Sequence, residues 1–406
     1  MIPKLISVDD HVVELPSIFQ DRLPSKFKDR IRVERQKGTL DFVPSNSATP
    51  GMKLVPGGDN DRWADVWIFD DLVWVLTAGW GSIGPLRELT ARTPVTYEEM
   101  LPGCYSQPER LEDMDANHSE AALCFPSFSR FCGQTYSERA DKDFALLCLK
   151  AYNDWMIDEW CAGAGAGRLI PLTLIPLWDP QLAAAEVRRC AEKGSGAVAF
   201  SESPTGLGLP SIHSGHWDPF FEACDETRTV INMHIGSASK VATTSDDASL
   251  LVGMALTAQG SEGALCDWLT SGLLARYPNL KIALSEGQVG WMPYILERLD
   301  RAWENAHLYD PDIYQRVPNL PSSYLQGRVF GCVFDDVTGL QNRSRIGMDQ
   351  IMFEIDYPHA DSTYPASRQT AEKLIAEAGL NDRETWQLVR GNAIECFDLA
   401  RFGIVE

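Results

Sequence analysis

Eight short apolar runs of β-forming residues recur along the chain, and most are followed by an amphipathic stretch with helical periodicity. The runs span residues 4–10, 121–125, 169–174, 197–201, 229–234, 281–285, 329–333 and 351–355. Helical stretches include residues 138–160, 180–193 and 291–303. Strands alternating with helices read as parallel βα units. Eight such units close most simply into a (β/α)8 TIM barrel, an α/β fold. The rival, an open doubly wound sheet, would usually carry a Gly-rich phosphate loop after its first strand, and the segment DDHVVELP is not one. With no internal repeat and no low-complexity linker, residues 1–406 read as a single domain.

One stretch breaks the alternation. Residues 22–107 separate the first run from the second and are rich in Gly, Pro and Trp, with Trp63, Trp67, Trp74 and Trp80 among them. A segment this long reads as a lid or a subunit contact, which makes a homo-oligomer one expectation, or as an insertion packing its own small core. The net charge of −21 excludes a basic nucleic-acid-binding face. No apolar run is long enough for a membrane span, and acidic residues follow the first Met too closely for a secretion signal, so a cytoplasmic location is expected. The ten cysteines are scattered without CxxC spacing and read as small buried hydrophobes.

In a parallel barrel the active face lies at the C-terminal strand ends. Here those ends are acidic or imidazole-bearing. The first run ends in Asp9-Asp10-His11, with Asp9 and His11 on one side of the strand. Glu202 follows the fourth run, His234 ends the fifth and Glu286 follows the sixth, while Asp356 and then His359 follow the eighth. A lone histidine on an apolar strand is commonly a hydrogen-bonded core residue, and a lone acid there is commonly a helix cap. Their coincidence is what points to a metal. Burying so many carboxylates together without a cation would cost several kcal/mol each. His118 and His307 sit in helical stretches and read as surface residues. His213 and His216 lie in the loop after the fourth run and are weaker candidates for substrate contact.

At these residues the chain resembles the amidohydrolase-related barrels, the group that includes aminocarboxymuconate-semialdehyde decarboxylase and γ-resorcylate decarboxylase. The resemblance rests on Asp9-x-His11, on His234, on GQVGWMPYILERLD after the sixth run, on DYPH at Asp356 and on GNAIECF near the C-terminus. It implies metal on Asp9, His11, His234 and Asp356. Two departures stand out. Ser285-Glu286 replaces the decarboxylases' histidine after the sixth strand, and Glu202 stands where dinuclear members carry a bridging carboxylated lysine.

The proposed set then holds four carboxylates (Asp9, Glu202, Glu286, Asp356) and two imidazoles (His11, His234), with His359 as a further ligand or supporting residue. Such an inventory suits hard octahedral ions and matches the ligand count of di-iron carboxylate proteins. On a barrel it is similar to the non-haem di-iron monooxygenase type of platensimycin and platencin biosynthesis. That similarity implies two iron ions, a bulky hydrophobic, terpenoid-like substrate under a cover of Trp63, Trp67, Trp74 and Trp80, and electrons from a separate reductase. The alternative is a hydrolase or non-oxidative decarboxylase using zinc or manganese, with Glu286 or Asp356 as the catalytic base.

Overall fold

A computed structural model describes residues 2–43, 51–240, 242–245 and 247–405. The first strand, β1 (Leu5–Val12), is buried along its whole length and runs parallel to β6 (Ser119–Pro126), which pairs in turn with β7 (Leu169–Ile170). Pro171 separates β7 from β8 (Leu172–Thr173). It has no N–H for the ladder, so the single run expected at 169–174 divides into two short strands.

From β8 the pairing continues through β9 (Ala197–Phe200), β10 (Val230–His234), β11 (Ile282–Ser285), β12 (Val329–Val333) and β13 (Ile351–Phe353), parallel throughout. The ring returns to its start beyond β13. The Asp356 N–H donates to the Asp9 carbonyl at 2.8 Å, and the Ile355 N–H donates to Ser7 Oγ at 2.8 Å. This is the succession expected of a closed eight-stranded barrel. Strands β9 to β13 are buried on both faces, as parallel strands covered by helices must be.

The helices lie close to where periodicity places them. Pro180–Glu192 starts at Asp179, whose carboxylate accepts from the Gln181 and Leu182 N–H groups, and it buries Ala183, Ala184, Val187 and Cys190. The helix expected at 138–160 is Lys142–Trp155, followed by a wider turn over Met156–Trp160. His118 lies just past the end of Gln107–Ala116, half-buried with a left-handed backbone, rather than on a helical surface.

The segment between β1 and β6 is more ordered than its composition suggests. It forms an antiparallel sheet of β2 (Ile31–Val43), β3 (Gly51–Val55), β4 (Arg62–Phe69) and β5 (Leu72–Val75), in the order β3-β2-β4-β5. Trp67 and Phe69 dock this sheet on the rest of the fold. The Trp67 ring stacks on Phe128 at 4.2 Å between centroids. All ten cysteines are unpaired, and all but the half-buried Cys266 are buried. Among the described residues, no helix is long and apolar enough to cross a membrane.

Candidate metal centre

Six of the seven expected ligands converge. Asp9 and His11 lie within β1 rather than past its end, since the strand runs on to Val12. His234 is the last residue of β10. Glu286 follows β11, and Asp356 follows β13 by three residues. Both have a left-handed backbone (φ 60° and 58°), which is rare for non-glycine residues and recurs at functional sites. Among the described residues, two overlapping sets bring four ligand atoms within 4.8 Å of one another. One is Asp9, His11, His234 and Glu286; the other is His11, Glu286, Asp356 and His359.

The contacts inside these sets have the spacing of ligands around an ion. His234 Nε2 lies 3.0 Å from Glu286 Oε2, 3.2 Å from His11 Nε2 and 3.6 Å from Asp9 Oδ2. His11 Nε2 lies 3.4 Å from Asp9 Oδ1 and 3.2 Å from Asp356 Oδ1. Ligands about 2.1 Å from an octahedral ion stand about 3 Å apart along each edge. His234 Nδ1 is 2.6 Å from the Ile235 carbonyl, so it carries the proton and leaves the Nε2 lone pair facing the cluster. The four oxygens of Asp9 and Asp356 are buried and have no aligned hydrogen bond. Carboxylates at such depth are costly unless a cation meets them, and His359 faces only one oxygen of Asp356, so these residues fit a divalent ion.

The electrostatics agree. Burial, then the charges of Glu354, Asp356, Glu286 and Asp10, push the Asp9 carboxyl well above its usual range. Burial, reinforced by His359, His234 and Arg110, holds His11 well below the ordinary imidazole value. His359 goes the other way. Burial opposes its protonation, but the Asp356 carboxylate, with Nδ1 and Oδ1 3.0 Å apart, raises it to about 9.

Glu202, the seventh expected ligand, stands outside both sets. Its Oε1 accepts from the Gly236 N–H at 2.9 Å, while Oε2 is buried without a partner. Burial, partly offset by His234, raises its carboxyl to about 7. The expected tryptophan cover is not formed as a group. Trp63 is exposed beside Lys37, Trp67 is core, and Trp74 packs against Trp80. Trp80 alone of the four approaches the centre, 6.4 Å from the His359 ring. His213 pairs with Asp267 and His216 packs edge-on to Trp217; neither lines the cavity described below.

The sequence reading missed Glu354, the first residue past β13 and two before Asp356. It is fully buried, and its Oε2 accepts from Cys332 Sγ at 2.6 Å and from the Glu286 N–H at 3.1 Å. It also missed Arg110, buried beneath β1, which donates to the His11 carbonyl and lies 3.8 Å from Asp10 Oδ2. A cavity of about 900 Å³ opens from the centre. Its floor carries His234, Glu286 and His359, and its walls include Phe131, Glu202 and one face of helix Gln259–Thr270. Phe131 stacks on the His234 ring at 4.0 Å, covering one side of that ligand.

Comparison with known proteins places this architecture. The family described as Amidohydrolase matches residues 61–399. Among solved structures, an amidohydrolase from Mycobacterium avium subsp. paratuberculosis K-10 superposes with a TM-score of 0.63 at 19% identity, covering 98% of this chain and 100% of its own. A 5-carboxyvanillate decarboxylase from Sphingomonas paucimobilis gives 0.61 at 17% identity, covering 97% and 99%. A dihydroxybenzoic acid decarboxylase from Polaromonas sp. JS666, with bound manganese and the inhibitor 2-nitroresorcinol, gives 0.61 at 16%, covering 98% of both chains. These likenesses establish the fold. They give no support to the expected di-iron monooxygenase or to iron as the metal.

Proposed function

The chain belongs to the amidohydrolase family, and we propose that it is a manganese- or zinc-dependent lyase that removes a carboxyl group from a bulky, largely apolar carboxylic acid. The observation that carries this reading is the convergence of Asp9, His11, His234 and Glu286 on one point, with the Asp356–His359 pair beside it. Similar folds named as decarboxylases, one with manganese and an aromatic inhibitor bound, favour this chemistry over oxygen activation. Asp9, His11, His234, Glu286 and Asp356 would hold the ion, which when bound supplies Lewis-acid polarisation of the substrate.

The chain's own residues account for the remaining steps. His359 lines the cavity, and its Nδ1 rests against Asp356 Oδ1, which leaves Nε2 to deliver a proton. As the bond to the carboxyl carbon breaks, its electron pair stays on the substrate carbon, and the His359 Nε2 proton is placed there while CO₂ leaves. Glu286 occupies the position where the resemblance implies a histidine, so the donor in this scheme is His359. Phe131, stacked on the His234 ring, gives the substrate an apolar wall beside the centre. A cavity of about 900 Å³ lies near the top of the usual range for small-molecule sites, which supports a substrate larger than one ring.

The test is metal analysis of protein purified without chelator, followed by CO₂-release and O₂-uptake assays on a panel of aromatic and polycyclic acids. Manganese- or zinc-dependent CO₂ release without O₂ consumption is the expected result. Iron-dependent O₂ uptake with no CO₂ release would overturn the proposal in favour of an oxygenase.

A further inference from the structure

The loop after β6 lays the Phe131 ring flat on His234, with the two planes 8° apart and their centroids at 4.0 Å. Gly236 leaves room for this stack. Its φ of 74° favours glycine, and a Cβ there would meet Phe131 Cε2 at 3.3 Å. With Nδ1 held against the Ile235 carbonyl as well, the imidazole presents Nε2 in one direction.

The loop that carries Phe131 is fixed on both sides of the ring. Before it, the Ser127, Phe128 and Ser129 N–H groups donate to the buried Glu14 carboxylate at 3.0, 2.8 and 3.0 Å. After it stands Gln134, only 1% exposed. Its Oε1 accepts from the Cys132 N–H at 2.9 Å, and its Nε2 donates to the Ser237 carbonyl at 3.0 Å. The Ser237 N–H donates in turn to the His234 carbonyl at 3.1 Å. Gln134 thus bridges the Phe131 loop to the turn that follows the ligand. Ser201 Oγ, at 3.2 Å, and the weaker Cys132 thiol, at 3.7 Å, share the Ser237 carbonyl.

We propose that Gln134 is a positioning residue of the metal centre, which acts on His234 by fixing the Phe131 loop against the Ser237 turn. The inference rests on the reading above only in taking His234 as a ligand.

The experiment measures manganese affinity by electron paramagnetic resonance of the free ion, for the parent, Gln134→Glu, Phe131→Leu and the double variant. Melting temperatures without metal and visible spectra of the cobalt-loaded proteins are recorded beside it. Gln134→Glu keeps the side-chain length and the acceptor for the Cys132 N–H but sets an oxygen against the Ser237 carbonyl. It is expected to weaken manganese binding about tenfold or more, the scale usual for a group that supports a ligand, and to shift the cobalt bands. Phe131→Leu should do the same. The double variant should bind no more weakly than the weaker single one, because both changes act through one stack. Gln134→Met, which adds no charge, should match Gln134→Glu and replaces it if the buried charge prevents folding. Parent-like manganese affinity and cobalt spectrum in a folded Gln134 variant, at whatever melting temperature, overturn the proposal. So do additive losses in the double variant, or failure of both Gln134 variants to fold. A parent that binds neither metal would overturn the metal centre itself and this inference with it.

Discussion

The main-chain N–H of Glu286 donates to Glu354 Oε2 across 3.1 Å, so a carboxyl buried under the centre holds the backbone of one that faces it. The bond fixes Glu286 in its left-handed conformation, from which its side chain reaches His234 Nε2. Glu354→Gln, which keeps an acceptor at that position, is expected to retain the fold and most of the bound metal. Glu354→Leu leaves the Glu286 N–H with only the weaker Cys332 Sγ acceptor at 3.3 Å, costing about 1 kcal/mol. It should also lower metal occupancy, measured by elemental analysis after gel filtration. Equal metal content in the two variants would show that the bond does not position Glu286.

Metal binding should appear directly in stability. In the metal-free protein, Asp9 is pushed toward its protonated form by burial and by the neighbouring carboxylates, and a divalent ion reverses that penalty. Manganese at about 100 times its Kd should stabilise the fold by about 2.7 kcal/mol, and chelator should remove the gain. Differential scanning fluorimetry with and without chelator is the check. A melting temperature indifferent to manganese, zinc and chelator would refute the centre.

The Glu202 carboxyl gives a pH-dependent signature. Its value is raised from 4.5 to about 7 in the fold, so the folded state binds this proton more tightly than the unfolded chain. The stabilisation is complete below pH 4.5 and is lost as the pH rises through about 7. Metal-free protein should therefore lose stability across that window, and Glu202→Gln should flatten the profile there. Chemical denaturation at a series of pH values measures it, and an unchanged slope in the variant would refute the assignment.

How much of this was legible in the sequence depends on what each residue packs against. The barrel strands announce themselves because β9 to β13 are mostly apolar runs, and β9, β10, β11 and β13 end in or are followed at once by polar residues. The antiparallel sheet of the insertion did not, because β2 carries a run of charged residues. Arg35 bonds Asp65 on the adjacent β4, and Arg32 bonds Glu34 along its own strand, so apolar alternation is masked by ion pairs. The convergence of Asp9, His11, His234, Glu286, Asp356 and His359 was anticipated from their places at or just after apolar runs, although Asp9 and His11 lie inside β1. Glu354 was legible in principle as the acidic residue directly after an apolar run, the same signal that marks Glu286. Trp67 and Trp74 misled because large aromatics serve cores more often than ligands, and no periodicity distinguishes the two uses.

Trp80 and Trp63 offer the sharpest contrast within that insertion. The Trp80 ring lies 5.4 Å from Trp74 and 6.4 Å from His359, so it links the packed interior of the insertion to the residue assigned the proton. Trp63 is 54% exposed, with the Lys37 ammonium 6.0 Å from its ring. Trp80→Ala should therefore cost about 3 kcal/mol or more of stability through lost packing. It should also shift the pH optimum of turnover, because hydration of His359 changes when the ring is removed. Trp63→Ala should fall within about 0.5 kcal/mol of the parent and leave the pH profile alone. Denaturant titration and a pH–rate profile on both variants decide the matter. If Trp80→Ala destabilises the protein without moving the profile, its ring is a packing element only, and the environment of His359 is set by Asp356 and the barrel.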